Sequence, residues 1–215
     1  MEGESGLGGH ILLSIGVTFA ALLPIADPIG NLPPYLALVR DLEPRERRSQ
    51  ARKACFAMFA ILVVALLFGR FLLSFFGISL GALTVIGGLI VGYLGWKMVL
   101  GPPPGDTDGT YGFSGDIYMT PLAMPMLAGP GAIGVVLGLA SRSENWEDYI
   151  GVAIGILLIS IVSYVVLLSA ERIVDRIGEK GIDVMNRVMG VIVLAIGAEL
   201  VFHGIAEHFS IATTD

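Results

Sequence analysis

Apolar residues form six runs along the chain, each long enough to cross a hydrocarbon core of about 30 Å. The runs cover about residues 10–39, 54–76, 80–100, 117–140, 148–169 and 186–207. The connectors between them are short and polar, and none is long enough to form a separate domain. This pattern predicts an all-α polytopic membrane protein in which residues 1–215 form a single membrane domain with six transmembrane helices.

Proline and glycine interrupt the first and fourth runs near their middles. The breaks cover residues 23–31 and 124–132, and Pro28 and Pro130 lie 102 residues apart. A helix broken in hydrocarbon leaves backbone N–H and C=O groups unpaired, at a cost of several kcal/mol each, unless protein, water or a ligand satisfies them. Two matched breaks therefore predict discontinuous spans one and four, and a transport site between them.

Composition and charge place the chain in a bilayer and orient it there. Only 15% of the residues are charged and 54% are hydrophobic, whereas soluble domains are about 25% charged. Eleven of the 13 Lys and Arg residues fall in 40–53, at Lys97, or in 172–187, and the positive-inside rule makes these regions cytoplasmic. We therefore expect a multi-pass protein of the cell (inner) membrane with both termini extracellular or periplasmic. Residues 1–39 lack Lys and Arg, which favours a retained first span over a signal peptide.

The two halves of the chain correspond when one is shifted by 102 residues. The shift lays the first break on the second and the glycine-rich third span on the sixth. Each half has three spans, an odd number, so the halves must cross the membrane in opposite senses. The sequence thus predicts two inverted repeats, about 10–100 and about 117–207, joined by a cytoplasmic-side loop, 101–116.

Both breaks have the sequence of a helix start near the middle of the membrane. Asp27 followed by Pro28 fits an N-cap and first helical position, and Gly129-Pro130 has the same form without the acid. The positive end of a half-helix dipole favours a carboxylate, while Asp27 favours an ammonium group. This asymmetry predicts a small zwitterionic substrate. The candidate substrate-binding residues are Asp27, Pro28, Gly30, Asn31, Thr120, Ala128, Gly129, Pro130, Gly131 and Ala132.

Structural alternatives stay open for several of these residues. Asp27 is also explained as a simple cap of its half-helix, and the proline and glycine clusters as kinks for helix packing. Asn31 and Thr120 can bond neighbouring helices instead of a substrate. Among the other charges, Lys97 is expected to snorkel to the inner interface, and Arg70 and Glu199 are expected to form an ion pair in the outer half of the membrane.

The sequence gives little support for other classes of chemistry. Cys55 is the one cysteine, and the three histidines are scattered, so we expect no metal and no cofactor. The spans lack the catalytic partners of an intramembrane enzyme, and we expect no enzymatic activity. The net charge of −6 does not indicate nucleic-acid binding.

The motifs at the breaks resemble those of the MarC family of integral membrane proteins and, within it, the SnatA-like small neutral amino acid transporters. The resemblance rests on residues 27–31 with Pro33, on Gly87-Gly88, and on residues 121–125 running into 127–132. It implies a six-span inner-membrane transporter of glycine and alanine with proton coupling, and it also places the family near LysE-type exporters. The sequence departs from the family pattern at Lys97, where relatives tend to have an acid, and at Glu199, where they tend to have Gln.

These observations together predict a secondary transporter of small neutral amino acids that works by alternating access at the broken-helix site. Asp27 and Glu199 are the candidates for coupling to H⁺, and Na⁺ remains open. An amino acid exporter or a passive channel of the same fold is the alternative, and oligomeric state is left open.

Overall fold

The computed structural model describes residues 4–39, 41–101, 127–143 and 145–212. The helices in these residues, in chain order, are α1 (Glu4–Ala26), α2 (Leu32–Val39), α3 (Pro44–Phe76), α4 (Leu80–Leu100), α5 (Pro130–Arg142), α6 (Trp146–Leu168) and α7 (Ala170–Ala212). The regular secondary structure of this part of the chain is all helical, as the sequence predicts.

Five of these helices contain a segment long and apolar enough to cross a membrane. The segments are Gly9–Ala26, Pro44–Gly69, Gly81–Leu100, Trp146–Leu168 and Lys180–Ala206. The helix α5 is shorter but also apolar, over Gly131–Arg142. The first half of the predicted fourth span, and the predicted loop 101–116 after Gly101, lie outside the described residues.

Local capping signals determine where α3 and α4 begin. The Glu46 carboxylate accepts a hydrogen bond from the Glu43 N–H at 3.4 Å, which is the reciprocal half of a capping box around Pro44. Ser79 Oγ accepts from the Ala82 N–H at 3.2 Å and caps α4. The helix α3 therefore starts ten residues before the predicted apolar run, and most of the predicted 40–53 connector is helical.

The predicted connector 170–185 is also helical and forms the first part of α7. Its sequence is amphipathic: Ile173 and Val174 pack against the core, while Glu171 and Arg172 are exposed. Gly178 interrupts the helix with a φ of 73°, a left-handed conformation that favours glycine. The many charged residues in 170–185 therefore indicated a loop where the structure has an amphipathic helix.

Glycines allow α4 and α7 to pack with their backbones in close contact. A Cβ on Gly88 would lie 2.7 Å from Gly197 O, and one on Gly95 would lie 2.8 Å from Gly190 O. Residue numbers rise along one helix as they fall along the other, so α4 and α7 are antiparallel. Small residues at this spacing are typical of membrane helix interfaces, where close backbone approach supplies the van der Waals contact.

The helices α1 and α6 pack in parallel. Gly151 lies against Ser14 and Gly155 against Thr18, so residue numbers rise together along both helices. Ser14 Oγ also donates to Asp148 Oδ1 at 3.1 Å. These relative directions agree with the predicted topology, in which spans one and five cross the membrane in the same sense.

Apolar side chains occur both inside and outside the bundle. Fully buried residues fill its centre, among them Leu22, Met58, Leu62, Ile156 and Ile159. Large apolar side chains also face outward, such as Phe56, Phe71 and Phe75, each at least 65% exposed. A lipid environment accommodates such a surface, since outward apolar groups are then in contact with hydrocarbon.

Candidate functional site

A short non-helical turn forms the first break and joins α1 to α2. The Asp27 N–H still donates to Leu23 O at 3.0 Å, which completes the last turn of α1. Asp27 has a φ of 34°, close to the left-handed region that residues other than glycine seldom occupy. Such a conformation persists only where the surrounding structure holds it, and it is frequent at binding sites.

The side chains of Asp27 and Asn31 satisfy backbone groups that the break separates from the helical pattern. Asp27 Oδ1 accepts from the Gly30 N–H at 3.1 Å. Asn31 Nδ2 donates to Ala26 O at 2.9 Å. Asp27 therefore caps this turn with one of its two carboxylate oxygens, but it is not the N-cap of α2, which begins at Leu32, and Pro28 lies in the turn and not at the first helical position as predicted.

Gly30 provides the space that the second oxygen of Asp27 occupies. A Cβ built on Gly30 would overlap Asp27 Oδ2 and would lie 2.6 Å from Asn186 Oδ1. The two oxygens thus converge on one point beside the Gly30 backbone. Converging carboxylate and amide oxygens are acceptors suited to an ammonium group, which carries three donors.

The second break starts α5 without an acidic side chain. Gly129 is the N-cap residue, with extended backbone, and Pro130 follows in the first turn. The Ile133 N–H donates to Gly129 O at 3.1 Å, which is the first hydrogen bond of the new helix. This arrangement matches the predicted helix start.

A cavity of about 290 Å³ lies between the two breaks. Its described lining residues come from α1, the first break, α2, α4, the second break and α7: Ile25, Asp27, Gly30, Asn31, Pro34, Leu94, Lys97, Met98, Gly129, Asn186 and Val193. The breaks therefore meet at one space, which is partly polar and small. Ligand pockets for drug-sized molecules usually measure about 300–1,000 Å³, so this cavity suits a small ligand.

The structure brings together four of the predicted site residues at the cavity, and the other predicted residues that it describes do not line it. Asp27, Gly30, Asn31 and Gly129 line the cavity. The other predicted residues with described side-chain surroundings, namely Pro28, Ala128, Gly131 and Ala132, are buried and do not line it. Pro130 begins α5, and Thr120 lies outside the described residues.

Lys97 and Asn186 line the cavity but were missed as site residues. Lys97 is a lining residue of the cavity and is also exposed, with its Nζ 5.3 Å from the centre of the Tyr93 ring, so its expected snorkelling stays a prediction. Asn186 comes from α7, more than 150 residues from Asp27 in sequence. One signal was available for Asn186: the 102-residue shift pairs it with Thr84, a second polar residue inside an apolar span.

Glu199 lies away from this cavity. Its carboxylate is 3.4 Å from His203 Nε2, and its side chain is 69% exposed. The side chain of Arg70 lies outside the described part of the structure, so the Arg70–Glu199 pair stays a prediction. Asp27 is the coupling candidate that the structure places at the cavity.

A second, smaller cavity of about 170 Å³ lies between α1, α4, α5 and α7. Three of its lining residues, Thr84, Ile196 and Leu200, correspond to residues of the first cavity under the 102-residue shift. Their counterparts are Asn186, Leu94 and Met98. The two cavities thus use equivalent positions in the two halves of the chain, and Arg142 is the charged residue among the described lining of the second.

Curated relatives resemble the chain along almost its whole length. A UPF0056 membrane protein of Methanocaldococcus jannaschii is 34% identical over 194 residues, covering 88% of this chain and 94% of the relative. The UPF0056 inner membrane protein MarC of Citrobacter koseri is 30% identical over 209 residues, covering 90% of this chain and 95% of the relative.

A family model agrees with these relatives. Residues 12–209 match the model described as MarC family integral membrane protein. No solved structure matches the chain. The family model and the relatives confirm the resemblance at the level of the family, and the chain belongs to the MarC family of integral membrane proteins.

Proposed function

We propose that this protein is a secondary transporter of small neutral amino acids, such as glycine and alanine, in the inner membrane. The observation that carries the proposal is the position of Asp27, whose carboxylate lies at a helix break and lines a small cavity that the start of α5 also lines through Gly129. An ionisable residue within membrane spans is unfavourable in hydrocarbon and usually marks a pathway.

The size and polarity of the cavity support the choice of substrate. The convergence of Asp27 Oδ2 and Asn186 Oδ1 suits the ammonium group of an amino acid. The small volume and the nearby apolar side chains of Ile25, Leu94 and Val193 suit a substrate with little or no side chain.

Contacts within the bundle support two inverted repeats of three spans each. The close contact of Gly88 with Gly197 corresponds, after the 102-residue shift, to the contact of Gly190 with Gly95. A two-fold axis in the membrane plane relates such reciprocal contacts between antiparallel helices. The second cavity supports the same relation, because it repeats positions of the first.

The repeats supply a mechanism of alternating access. Lys97 and Met98 lie near the end of α4, and Asn186 lies near the start of the apolar segment Lys180–Ala206. The positive-inside rule places both of these ends toward the cytoplasm, so we expect the larger cavity to open inward. Rocking of one repeat against the other would close this cavity and enlarge the smaller one on the opposite side. We further propose H⁺ as the coupling ion, with Asp27 as the group that takes the proton.

Uptake of labelled glycine and alanine into proteoliposomes tests this function. We expect uptake that an imposed inward proton gradient accelerates, and we expect Asp27→Asn to reduce the initial rate roughly 10- to 100-fold, because the ammonium group loses its counter-charge. Asp148→Asn is the matched control, since Asp148 bonds Ser14 away from the cavity.

The results separate the proposal from its alternatives. An uptake rate that neither a proton gradient nor a sodium gradient changes favours a passive facilitator of the same fold. Transport of neither amino acid by the wild-type protein, in either direction, contradicts the substrate assignment. An Asp27→Asn variant with undiminished uptake removes Asp27 from the mechanism.

A further inference from the structure

Asp27 and Lys97 are the charged residues among the described lining of the inner cavity. They come from different elements, the first break and the inner part of α4. A cavity with one anionic and one cationic group is complementary to a zwitterion, which has both charges within one small molecule. The proposed function explains Asp27 but assigns nothing to Lys97.

The anionic side of the cavity is already fixed by geometry. Asp27 Oδ2 and Asn186 Oδ1 converge beside Gly30, and Asp27 Oδ1 accepts a hydrogen bond from the Gly30 N–H. An ammonium group therefore binds best beside Gly30. The carboxylate of the same molecule must find its partner elsewhere on the lining.

The start of α5 is poorly placed to be that partner. Pro130 has no N–H, and the Ile133 N–H bonds Gly129 O. Gly131 is packed against the side chains of Leu94 and Val91, at 3.1 and 3.3 Å from the position of a Cβ.

Ala132, the next residue of α5, is fully buried, and neither it nor Gly131 lines the cavity. The carboxylate would therefore gain little from this helix start beyond its dipole.

Lys97 has the charge and the freedom that the carboxylate requires. Its Nζ lies 5.3 Å from the centre of the Tyr93 ring, within the range of a cation–π contact. Tyr93 is itself exposed, and such contacts are weak at exposed sites. The long lysine side chain can exchange this contact for a charge-assisted hydrogen bond to a carboxylate.

We propose that Lys97 binds the substrate carboxylate at the inner cavity, while Asp27 and Asn186 bind the ammonium group. Lys97 then determines specificity: it selects molecules with a carboxylate and repels amines that carry only a positive charge. This inference rests on the proposed function, and it adds the residue that recognises the second charge of the substrate.

Binding of glycine and of glycinamide to the purified protein, measured by calorimetry near neutral pH, tests the inference. Glycinamide keeps the ammonium group but has no carboxylate. We expect wild type to prefer glycine, and we expect Lys97→Gln to weaken glycine binding roughly 10- to 100-fold while glycinamide binding stays the same or improves. Lys97→Arg should restore most of the preference, because it keeps the positive charge.

Two comparisons make the result specific. Lys180→Gln removes an equivalent charge from the exposed inner end of α7 and should change neither affinity. Thermal melting in detergent should give similar Tm values for the Lys97 variants, which keeps a folding defect separate from a binding defect.

Some results would overturn the inference. Wild-type glycine affinity in Lys97→Gln, or an equal loss of glycine and glycinamide binding, overturns it and leaves the proposed function intact. Failure of wild type to bind glycine or alanine at all overturns the proposed function and this inference together.

Discussion

At the scale of single residues, Asp27 and Gly30 form the central unit of the site. Asp27 Oδ1 caps the turn through the Gly30 N–H, and Oδ2 occupies the space that a side chain on Gly30 would need. One carboxylate thus completes a broken helix and also lines the cavity. The structural and functional interpretations of Asp27 are therefore compatible rather than exclusive.

We predict that Gly30→Ala weakens glycine binding roughly tenfold or more, because the new methyl group displaces the Asp27 carboxylate. Equilibrium binding to the purified variant measures the effect. Gly16→Ala on α1 is the control, since a Cβ there meets nothing within 4 Å and should leave affinity unchanged. Equal affinities for Gly30→Ala and wild type would show that the carboxylate position is unimportant.

The sequence identified some site residues and missed others for a definite reason. Asp27, Gly30 and Gly129 could be predicted because proline and glycine breaks are visible as local interruptions of an apolar run. Lys97 and Asn186 lie on uninterrupted helices, and whether they face lipid or the cavity depends on helix rotation. Rotation is determined by packing between α4 and α7, which local sequence does not reveal.

At the scale of helices, the interface of α4 and α7 holds together the two helices that carry Lys97 and Asn186. Its glycines repeat every seven residues on both helices: Gly81, Gly88 and Gly95 face Gly204, Gly197 and Gly190. Seven residues make close to two helical turns, so the glycines of each helix stay on one face. The spacing explains why the two helices remain in contact over most of their lengths.

We predict that Gly88→Ala lowers the Tm in detergent by roughly 5 °C, because its Cβ would lie 2.7 Å from a backbone oxygen of α7. Gly92→Ala on the same helix is the matched control, as a Cβ there meets nothing within 4 Å. Thermal melting followed by intrinsic fluorescence measures both variants. A larger loss of stability for Gly92→Ala would contradict this account of the interface.

The sequence predicted which helices exist better than it predicted where they begin and end. Apolar runs located all the spans that the structure describes, since about 20 apolar residues are needed to cross a bilayer. The segment 170–185 was expected to be a connector because charged residues dominate it, and 40–53 was expected to be one for the same reason, although Glu43-Pro44 in it is a helix-start signal. A capping box at Glu43 and Glu46 and an amphipathic pattern around Ile173 override that charge.

At the scale of the whole molecule, the two cavities suggest two halves of one pathway. Val91 is fully buried, and it packs against Gly131 between the larger cavity and the smaller one. Leu94 lies one turn further along α4 and lines the larger cavity. Val91 therefore lies along α4 between Gly87, which lines the smaller cavity, and Leu94.

We predict that cysteines at these two positions react in opposite ways to the conformational state of the proposed transporter. In a Cys55→Ala background, Leu94→Cys should react with a membrane-impermeant thiol reagent from the cytoplasmic side, and Val91→Cys should react only from the outer side. Conditions that speed the labelling of Leu94→Cys should slow the labelling of Val91→Cys, because alternating access opens one side at a time. Labelling rates in right-side-out and inverted vesicles measure this. Simultaneous reaction from one side at both positions would indicate a continuous pore instead.

Protection of the larger cavity by substrate tests the central claim, that the space between the two breaks binds a small amino acid. Met98 lines this cavity, and Met98→Cys in the Cys55→Ala background provides a reporter there. We predict that glycine and alanine slow maleimide labelling of this cysteine, that phenylalanine does not, and that Gly30→Ala abolishes the protection. A labelling rate that glycine leaves unchanged, in protein that still transports glycine, would place the substrate elsewhere and contradict the account.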